Sequence, residues 1–379
     1  MAVTDVADIL RQVYPQNTVT MGLHMALRTR PLFGSAVPGN DRIRIGPSPP
    51  PVLFTQCMVL IPLLCLLLCA LGCARRLNVS DELQRAVETP ETFLFDSIAI
   101  KYQDRGSGNP IVLLHGFGGS SYSWRYVAES FSRKYRVISI DLKGFGLSDK
   151  PEDGRYSALD QSRIISGFIE EKGLKGITLV GHSYGGAVAL LTFLSFEANH
   201  KNPIKELILI DAAAYRQPLP AFISIMRTPC LGNLFLSLLP GNFNARVVLK
   251  EAFFNDGKIS EEMVRTYASY LGQPGAHHAL IETARQIIPR NVEELSQMYS
   301  KIGVPVLLIW GEEDRIVPTW VGERLARDLP QGTLIKVPKC GHIPQEECPV
   351  ETIQTIHFFL ESGTPRPDSR YIPCRSAMD

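Results

Sequence analysis

Gly181-His182-Ser183-Tyr184-Gly185 lies between a strand-like run at 176–180 and a helix-like run at 186–194. The first run is rich in β-branched and apolar residues, which indicates a buried strand, and the second has the small and apolar residues of a closely packed helix. A serine in so tight a strand-to-helix turn holds its hydroxyl above the sheet edge, and glycines beside it avoid backbone clashes. We predict that Ser183 is a nucleophile; the alternative is a glycine-rich turn that only caps the helix.

A nucleophilic serine needs a base, and the chain order expected for this kind of turn is serine, acid, histidine. The chain has histidines at positions 24, 115, 182, 200, 277, 278, 342 and 357. Four of them precede the serine or lie too close to it, two fall in a helical insert, and the last belongs to a helical pattern typical of packing. His342 follows the strand-like residues 333–337 on a loop, from which its side chain can reach across the sheet. We therefore predict that His342 is the base.

The acid is expected after a late strand, and residues 304–310 predict that strand. Asp314 lies deepest in the turn that follows, before a helix that begins near Pro318. We predict that Asp314 orients the imidazole of His342 and stabilises its charged form without taking the proton.

Three other carboxylates are rivals for this role. Glu312 and Glu313 lie in the same turn as Asp314. Asp211 ends the strand-like run 207–210, one strand earlier, where some hydrolases carry the acid. We favour a capping role for Asp211, because a carboxylate at a strand end commonly caps the next turn.

A glycine-rich loop, residues 115–119, follows the strand-like run 111–114. Glycines let backbone N–H groups turn inward towards a developing negative charge. We expect the oxyanion to be bound by the N–H groups of Phe117 and Tyr184, and we expect His115 to fix the loop by hydrogen bonds. The sequence has no Gly-x-x-x-x-Gly-Lys-Ser/Thr pattern, which disfavours a phosphate-binding function for this loop.

Strand-like and helix-like segments alternate from about residue 92, which predicts an α/β fold with a mostly parallel sheet and helices on both faces. The strand-like segments are 92–104 (a pair), 111–114, 137–141, 177–180, 207–210, 304–310 and 333–337. The helix-like segments are 121–134, 158–172, 187–200, 318–329 and 349–362. All of the proposed catalytic residues fall at the carboxyl ends of strands, where such sheets carry their sites.

Residues 212–303 form a connection that is too long for a simple loop and contains several helical patterns. These are 221–226, 233–238, 245–253, 261–271 and 276–287. We predict a helical cap over the site, because long connections with their own structure are usually functional. Some of its apolar residues should line an acyl-binding cavity, although the pattern does not say which: Phe222, Ile223, Met226, Leu234, Phe235, Leu238, Leu239, Phe253 and Phe254.

Five motifs together resemble the α/β-hydrolase superfamily over about residues 90–362. They are His115-Gly116, residues 141–149, Gly181–Gly185, Asp314 and Gly341-His342. The chain is similar to the epoxide-hydrolase-like and C–C hydrolase branch, which implies a core at 90–211 and 304–362 and a helical cap at 212–303. Epoxide hydrolases and haloalkane dehalogenases of that branch use an aspartate nucleophile. Serine at 183 instead implies esterase, lipase, thioesterase or C–C hydrolase chemistry.

The first 74 residues are predicted to lie outside this fold. Residues 1–51 have no sustained periodicity and end in a proline-rich run, which indicates disorder. Residues 363–379 are expected to form a C-terminal tail beyond the fold. Residues 52–74 carry no charge, and a membrane span takes ~20 residues. We predict a single-pass membrane anchor at 52–74; the alternative is a cleaved signal segment and a secreted or exported protein.

These expectations combine into a serine hydrolase that cleaves carboxylic ester or related acyl bonds of an apolar substrate, such as a lipid, through an acyl-enzyme. Alternatives are a C–C bond hydrolase, an acyltransferase, or a catalytically silent binding protein with the same fold. We expect no cofactor and no metal. The net charge of +1 gives no indication of nucleic acid as a partner.

Overall fold

The computed structural model describes residues 90–228 and 230–362. The predicted N-terminal region 1–51, the predicted anchor 52–74 and the predicted tail 363–379 lie outside the described residues.

An eight-stranded sheet forms the centre of the described chain. Its strands are β1 (Glu91–Phe95), β2 (Ile98–Arg105), β3 (Pro110–Leu114), β4 (Arg136–Ile140), β5 (Ile177–His182), β6 (Ile204–Ile210), β7 (Val306–Gly311) and β8 (Gly332–Val337). They lie in the order β1-β2-β4-β3-β5-β6-β7-β8. The pairs β1–β2 and β2–β4 are antiparallel, and every other neighbouring pair is parallel. The predicted mostly parallel sheet is confirmed.

Helices follow most strands and also fill the long connection between β6 and β7. They are α1 (Arg125–Phe131), α2 (Ala158–Glu171), α3 (Tyr184–Ala198), α4 (Ala221–Arg227), α5 (Leu231–Leu238), α6 (Gly241–Ala252), α7 (Glu261–Leu271), α8 (Ala276–Gln286), α9 (Val292–Gln297), α10 (Thr319–Asp328), α11 (Pro344–Glu347) and α12 (Pro349–Ser362). The expected helix at 121–134 is divided, because a 3-10 turn, Ser121–Trp124, precedes α1.

Helices cover both faces of the sheet. On one face, Leu113 of β3 and Ile309 of β7 belong to a buried cluster that includes Trp124 and Phe359 of α12. Successive side chains of a strand point to opposite faces, so Trp310 points to the other face. There it lies against Gly322 of α10. This two-sided cover is the predicted arrangement.

The connection from β6 to β7 contains α4 to α9, and several of its bounds differ from the expected ones. α6 begins at Gly241, four residues before the expected start, because Pro240 opens this helix with φ −56° and needs no N–H partner there. α9 was not predicted, since its six residues are too few for a helical period to be recognised. β6 begins at Ile204, before the apolar run by which it was recognised.

Within residues 90–228 and 230–362, no single helix has both the length and the apolar composition to cross a membrane. α4 and α5 meet that test only as a pair, and they are bent by 117° at the break between them.

Candidate active site

Ser183 lies on the turn between β5 and α3, with φ 52° and ψ −117°. A positive φ is uncommon for a residue other than glycine, and such strain is concentrated at functional positions. The turn is also crowded. A Cβ on Gly181 would lie 2.4 Å from the carbonyl oxygen of Gly185, and a Cβ on Gly185 would lie 2.3 Å from that of Leu114. Glycine at both positions allows the strand and the helix to meet at Ser183.

The structure brings together the three residues predicted as nucleophile, base and acid. His342 Nε2 lies 2.8 Å from Ser183 Oγ, and His342 Nδ1 lies 2.7 Å from Asp314 Oδ2. Because a carboxylate only accepts hydrogen bonds, Nδ1 carries the proton towards Asp314 and Nε2 is the free base that faces the hydroxyl. The three residues follow β5, β7 and β8, and all three are buried. Such a chain can remove the proton of the serine hydroxyl.

Asp314 is held in place by the turn in which it lies. Its Oδ1 accepts hydrogen bonds from the N–H groups of Ile316, at 2.7 Å, and Val317, at 2.9 Å. The second oxygen is thereby directed at His342. Glu312 is half-buried and Glu313 is exposed, and among the described acids Asp314 makes the hydrogen bond to His342.

Asp211, the remaining rival, lies directly beside this pair. It is fully buried at the end of β6, and its Oδ1 accepts a hydrogen bond of 2.9 Å from the N–H of Gly311. Burial raises the pKa of the Asp211 carboxyl well above its usual range, and the charge of Asp314 adds to this shift. The raised pKa favours the protonated form of Asp211, and the hydrogen bond to His342 is made by Asp314.

Asp211, Asp314 and His342 also form a group that could offer ligands to a metal ion, because one donor atom of each lies within 4.8 Å of the others. Both ring nitrogens of His342 are already engaged, one by Ser183 and one by Asp314. A metal held by this group would have to break the chain of hydrogen bonds that ends at the serine.

The main chain around His342 is fixed by contacts that the sequence analysis did not foresee. The N–H of His342 donates to the carbonyl of Ala252 at 2.7 Å, and its own carbonyl accepts from His182 Nε2 at 2.7 Å. Burial keeps the pKa of His182 well below its usual value, so this imidazole is neutral with its proton on Nε2. In the sequence, only the position of His182 next to Ser183 in the pentapeptide could have indicated that this residue contributes to the site.

Glu347 ties the same loop to the helices between β6 and β7. Its carboxylate accepts hydrogen bonds from the N–H groups of Gly341, at 2.7 Å, Asn255, at 2.7 Å, and Phe254, at 3.1 Å. A second buried carboxylate, Glu346, accepts from Arg125 of α1 and from the hydroxyl of Tyr267 of α7. These two carboxylates connect residues far apart in sequence, so no local pattern could have indicated them.

Phe117 and Tyr184, the expected oxyanion donors, line the same cavity as Ser183 and His342. Tyr184 is the first residue of α3, so its N–H has no acceptor within the helix. His115 holds the Phe117 loop, because its Nδ1 donates to the carbonyl of Gly116 at 2.8 Å and its Nε2 accepts from the N–H of Leu142 at 3.0 Å. The assignment of these two N–H groups as oxyanion donors stays a prediction.

This cavity, which we call the serine cavity, contains about 1010 Å³ of atom-free space including its mouth. Its wall is mostly apolar and comes from both the sheet end and the long connection, with residues such as Leu191, Phe222, Ile223, Ile287, Leu295 and Ile316. Of the apolar residues singled out in the sequence, Phe222 and Ile223 lie in this wall, whereas Phe253 packs in a separate buried cluster and Leu234 and Leu238 are exposed. The site therefore suits an apolar substrate.

The choice between Asp314 and Asp211 predicts a difference in activity. We expect Asp314→Asn to lower kcat by about 10³- to 10⁴-fold, because the imidazole loses the anion that orients it. Asp211→Asn should lower kcat by less than about tenfold, because its amide still accepts from Gly311. Steady-state kinetics of both variants checks this, and a larger loss for Asp211→Asn would reverse the assignment.

The raised pKa of Asp211 predicts a dependence of stability on pH. The unfolded chain ionises Asp211 above its ordinary pKa of 3.8, whereas the raised pKa lets the folded protein hold this proton to a higher pH. The wild-type free energy of unfolding therefore loses a contribution as pH rises from about 4 towards the raised pKa. Asp211→Asn has no such proton, so its Tm relative to wild type should increase from about pH 4 to about pH 8.

Thermal unfolding of both proteins across this range is the measurement, with the exposed Asp256→Asn as the matched control. A Tm difference that does not change with pH for Asp211→Asn would show that Asp211 ionises normally in the folded protein.

Comparisons with known proteins agree with this architecture. Residues 109–349 match the family model described as the alpha/beta hydrolase fold. Lipase 3 of Moraxella sp. (strain TA144) is 27% identical over 70% of this chain and 82% of its own length. The 2-hydroxy-6-oxo-6-(2'-aminophenyl)hexa-2,4-dienoic acid hydrolase of Metapseudomonas resinovorans is 27% identical over 75% of this chain and 96% of its own.

A solved structure extends the similarity to three dimensions. The alpha/beta hydrolase fold protein from Burkholderia ambifaria superposes with a TM-score of 0.64 at 27% identity, over 71% of this chain and 97% of that one. The strand order, the turn at Ser183 and the matched family model lead to one conclusion: the chain belongs to the α/β-hydrolase family.

Proposed function

We propose that this protein is a serine hydrolase that cleaves carboxylic esters of apolar substrates through an acyl-enzyme. The observation that carries the proposal is the unbroken hydrogen-bond chain from Ser183 Oγ through both nitrogens of His342 to Asp314. This chain joins a hydroxyl to a base and a base to an anion, which is the combination that activates a serine.

The reaction follows from the positions of these groups. His342 Nε2 takes the proton as Ser183 Oγ attacks the carbonyl carbon, and the amides of Phe117 and Tyr184 bind the negative oxygen. Asp314 stabilises the imidazolium, which then gives its proton to the departing alcohol. The acyl group stays on Ser183 until water, deprotonated by the same nitrogen, attacks and releases the acid.

C–C bond hydrolysis is the second candidate, because the relative from Metapseudomonas resinovorans carries a name of that chemistry. The relative from Moraxella is named a lipase, at the same identity. The apolar wall of the serine cavity favours the ester over a charged dienoic acid, since a carboxylate buried there without a partner is costly.

We expect Ser183→Ala to abolish labelling by a fluorophosphonate probe and to lower kcat/KM on nitrophenyl esters by about 10³-fold or more, because the variant has no nucleophile. Ser300→Ala, a change of an exposed serine, is the matched control and should keep both. The dependence of kcat/KM on the acyl length of the ester measures how long an acyl chain the site accepts. A folded wild-type protein with neither labelling nor turnover would favour the silent binding protein, and turnover of a vinylogous diketone alone would favour C–C hydrolysis.

We further propose that residues 52–74 hold the enzyme at a membrane. The segment is uncharged and long enough for a span of ~20 residues. α5 has an exposed apolar face that consists of Leu231, Leu234 and Leu238. An exposed apolar face of this kind supports contact between the helices that follow β6 and an apolar phase such as a membrane.

Alkaline carbonate extraction of expressing cells tests this proposal. The full chain and a chain without residues 1–51 should stay in the membrane pellet, whereas a chain without residues 1–89 should be released. Release of the full chain as well would contradict the anchor. If cells that express the full chain secrete a shorter protein into the medium, that result would support a cleaved signal segment instead.

A further inference from the structure

A second cavity adjoins the serine cavity, and we call it the cap cavity. It contains about 760 Å³ of atom-free space including its mouth. Its wall includes Gly116, which lies against the nucleophile, because a Cβ on Gly116 would be 3.1 Å from Ser183 Cβ. The walls of the two cavities have six residues in common: Phe117, His182, Phe222, Val248, Ala252 and Ile343. A substrate bound at Ser183 therefore has two adjoining spaces for its arms.

The two cavities differ in the site residues that line them. Ser183, Tyr184 and His342 line the serine cavity. The cap cavity is lined by all of residues 116–119, the glycine-rich loop, and its wall includes neither Ser183 nor His342 among the residues that the structure describes. An arm in the serine cavity thus lies beside the imidazole, whereas an arm in the cap cavity lies beside the loop.

The alcohol arm of an ester has a requirement that the acyl arm does not have. Its oxygen must receive a proton from His342 Nε2 when the alcohol departs. The alcohol arm must therefore start on the His342 side of the carbonyl carbon, which is the side of the serine cavity. The carbonyl oxygen is expected at the N–H of Phe117, so the direction that remains for the acyl arm is along the loop into the cap cavity.

The second half of the reaction favours the same assignment. After the alcohol has left, water must reach His342 Nε2 while the acyl group is still bound to Ser183. An acyl arm in the serine cavity would occupy the space next to that nitrogen, whereas an acyl arm in the cap cavity leaves this space to water. The wall of the cap cavity suits an apolar chain, because it has only four polar side chains: Ser123, His182, Asn244 and Tyr267.

We propose that the cap cavity binds the acyl arm of the substrate and that the serine cavity binds its alcohol arm. The substrate class is then an ester with an extended apolar group on each side of the cleaved bond, an apolar acyl chain and an apolar alcohol. This inference rests on the proposed ester hydrolysis, and it divides the site into two subsites with separate specificities.

Two tryptophan variants of the full chain, one for each cavity, test the assignment. Leu271 is the last residue of α7 and lines the cap cavity but not the serine cavity. Ile287 directly follows α8 and lines the serine cavity but not the cap cavity. Both side chains are half-buried. Leu271→Trp and Ile287→Trp therefore narrow one cavity each by the same kind of change.

The variants are assayed on two series of esters. Nitrophenyl esters with acyl chains from acetate to dodecanoate vary the acyl arm, and acetates of alcohols from ethanol to dodecanol vary the alcohol arm. Each kcat/KM is divided by that of the same variant on the shortest ester of the series, so a general loss of activity cancels. We expect Leu271→Trp to lower the relative kcat/KM of long acyl chains about tenfold, because about two methylenes lose their burial.

The dependence of Leu271→Trp on alcohol length should remain that of the wild type. Ile287→Trp is the matched variant and should show the reverse pattern, with long alcohols about tenfold worse and the acyl dependence unchanged. Leu271→Ala widens the cap cavity and should raise the relative kcat/KM of the longest acyl chains. This second variant tests the assignment without the tryptophan, whose size can prevent folding.

Three results would overturn the inference. They are a loss confined to long alcohols in Leu271→Trp, a loss confined to long acyl chains in Ile287→Trp, and a wild-type dependence on acyl length in both Leu271 variants. Turnover of short esters that depends on Ser183, together with any of these results, removes the two subsites and leaves the proposed function in place. A wild-type protein that hydrolyses none of the esters removes both.

Discussion

The backbone of Ser183 has a positive φ. The positions of the Ser183 hydroxyl and of the start of α3 depend on that conformation. Holding a serine in this region requires that nothing larger than hydrogen stand at Gly181 and Gly185, where a Cβ would meet backbone oxygen at under 2.5 Å. The same closeness places the N–H of Tyr184 at the start of a helix beside the hydroxyl. The proposed nucleophile and one of the two proposed oxyanion donors therefore lie in one turn.

His342, the proposed base, lies far from Ser183 in sequence. Residues at the end of α6 and just after it help to fix the loop that carries His342. Ala252 at the end of α6 accepts from the N–H of His342, and Glu347 binds Gly341 together with two amides that follow α6. Ile343, the next residue, packs in the buried cluster of α6 and α7. The connection that contains α4 to α9 therefore supports the loop of His342 and also forms part of the wall of the serine cavity.

Asp211 and Asp314 are neighbouring carboxyl groups that differ in their hydrogen-bond partners. Asp314 accepts hydrogen bonds from two backbone N–H groups and faces His342. Asp211 accepts from one backbone N–H and is fully buried, and burial raises the pKa of its carboxyl. The charge of Asp314 adds to the rise in the pKa of Asp211, because two like charges close together in a buried site repel each other.

The sequence could predict those parts of the fold and the site that a short run of neighbouring residues determines. The pentapeptide, the loop with His342 and the turn with Asp314 each stand at the end of a recognisable strand, and the predicted helix at 349–362 has the observed bounds. The start of α6 at Gly241 was misplaced because Pro240-Gly241 is typical of a break as well as of a helix start. The contacts of His182, Glu346 and Glu347 depend on residues that only the fold brings together.

The central claim is that Ser183 becomes acylated during turnover. Rapid mixing with a nitrophenyl ester, followed by acid quenching and peptide mass spectrometry, measures this directly. We expect a burst of about one nitrophenol per protein molecule and the mass of the acyl group on the peptide that contains Ser183. Turnover without a burst and without any acylated peptide, or an acyl group on another residue, would contradict it.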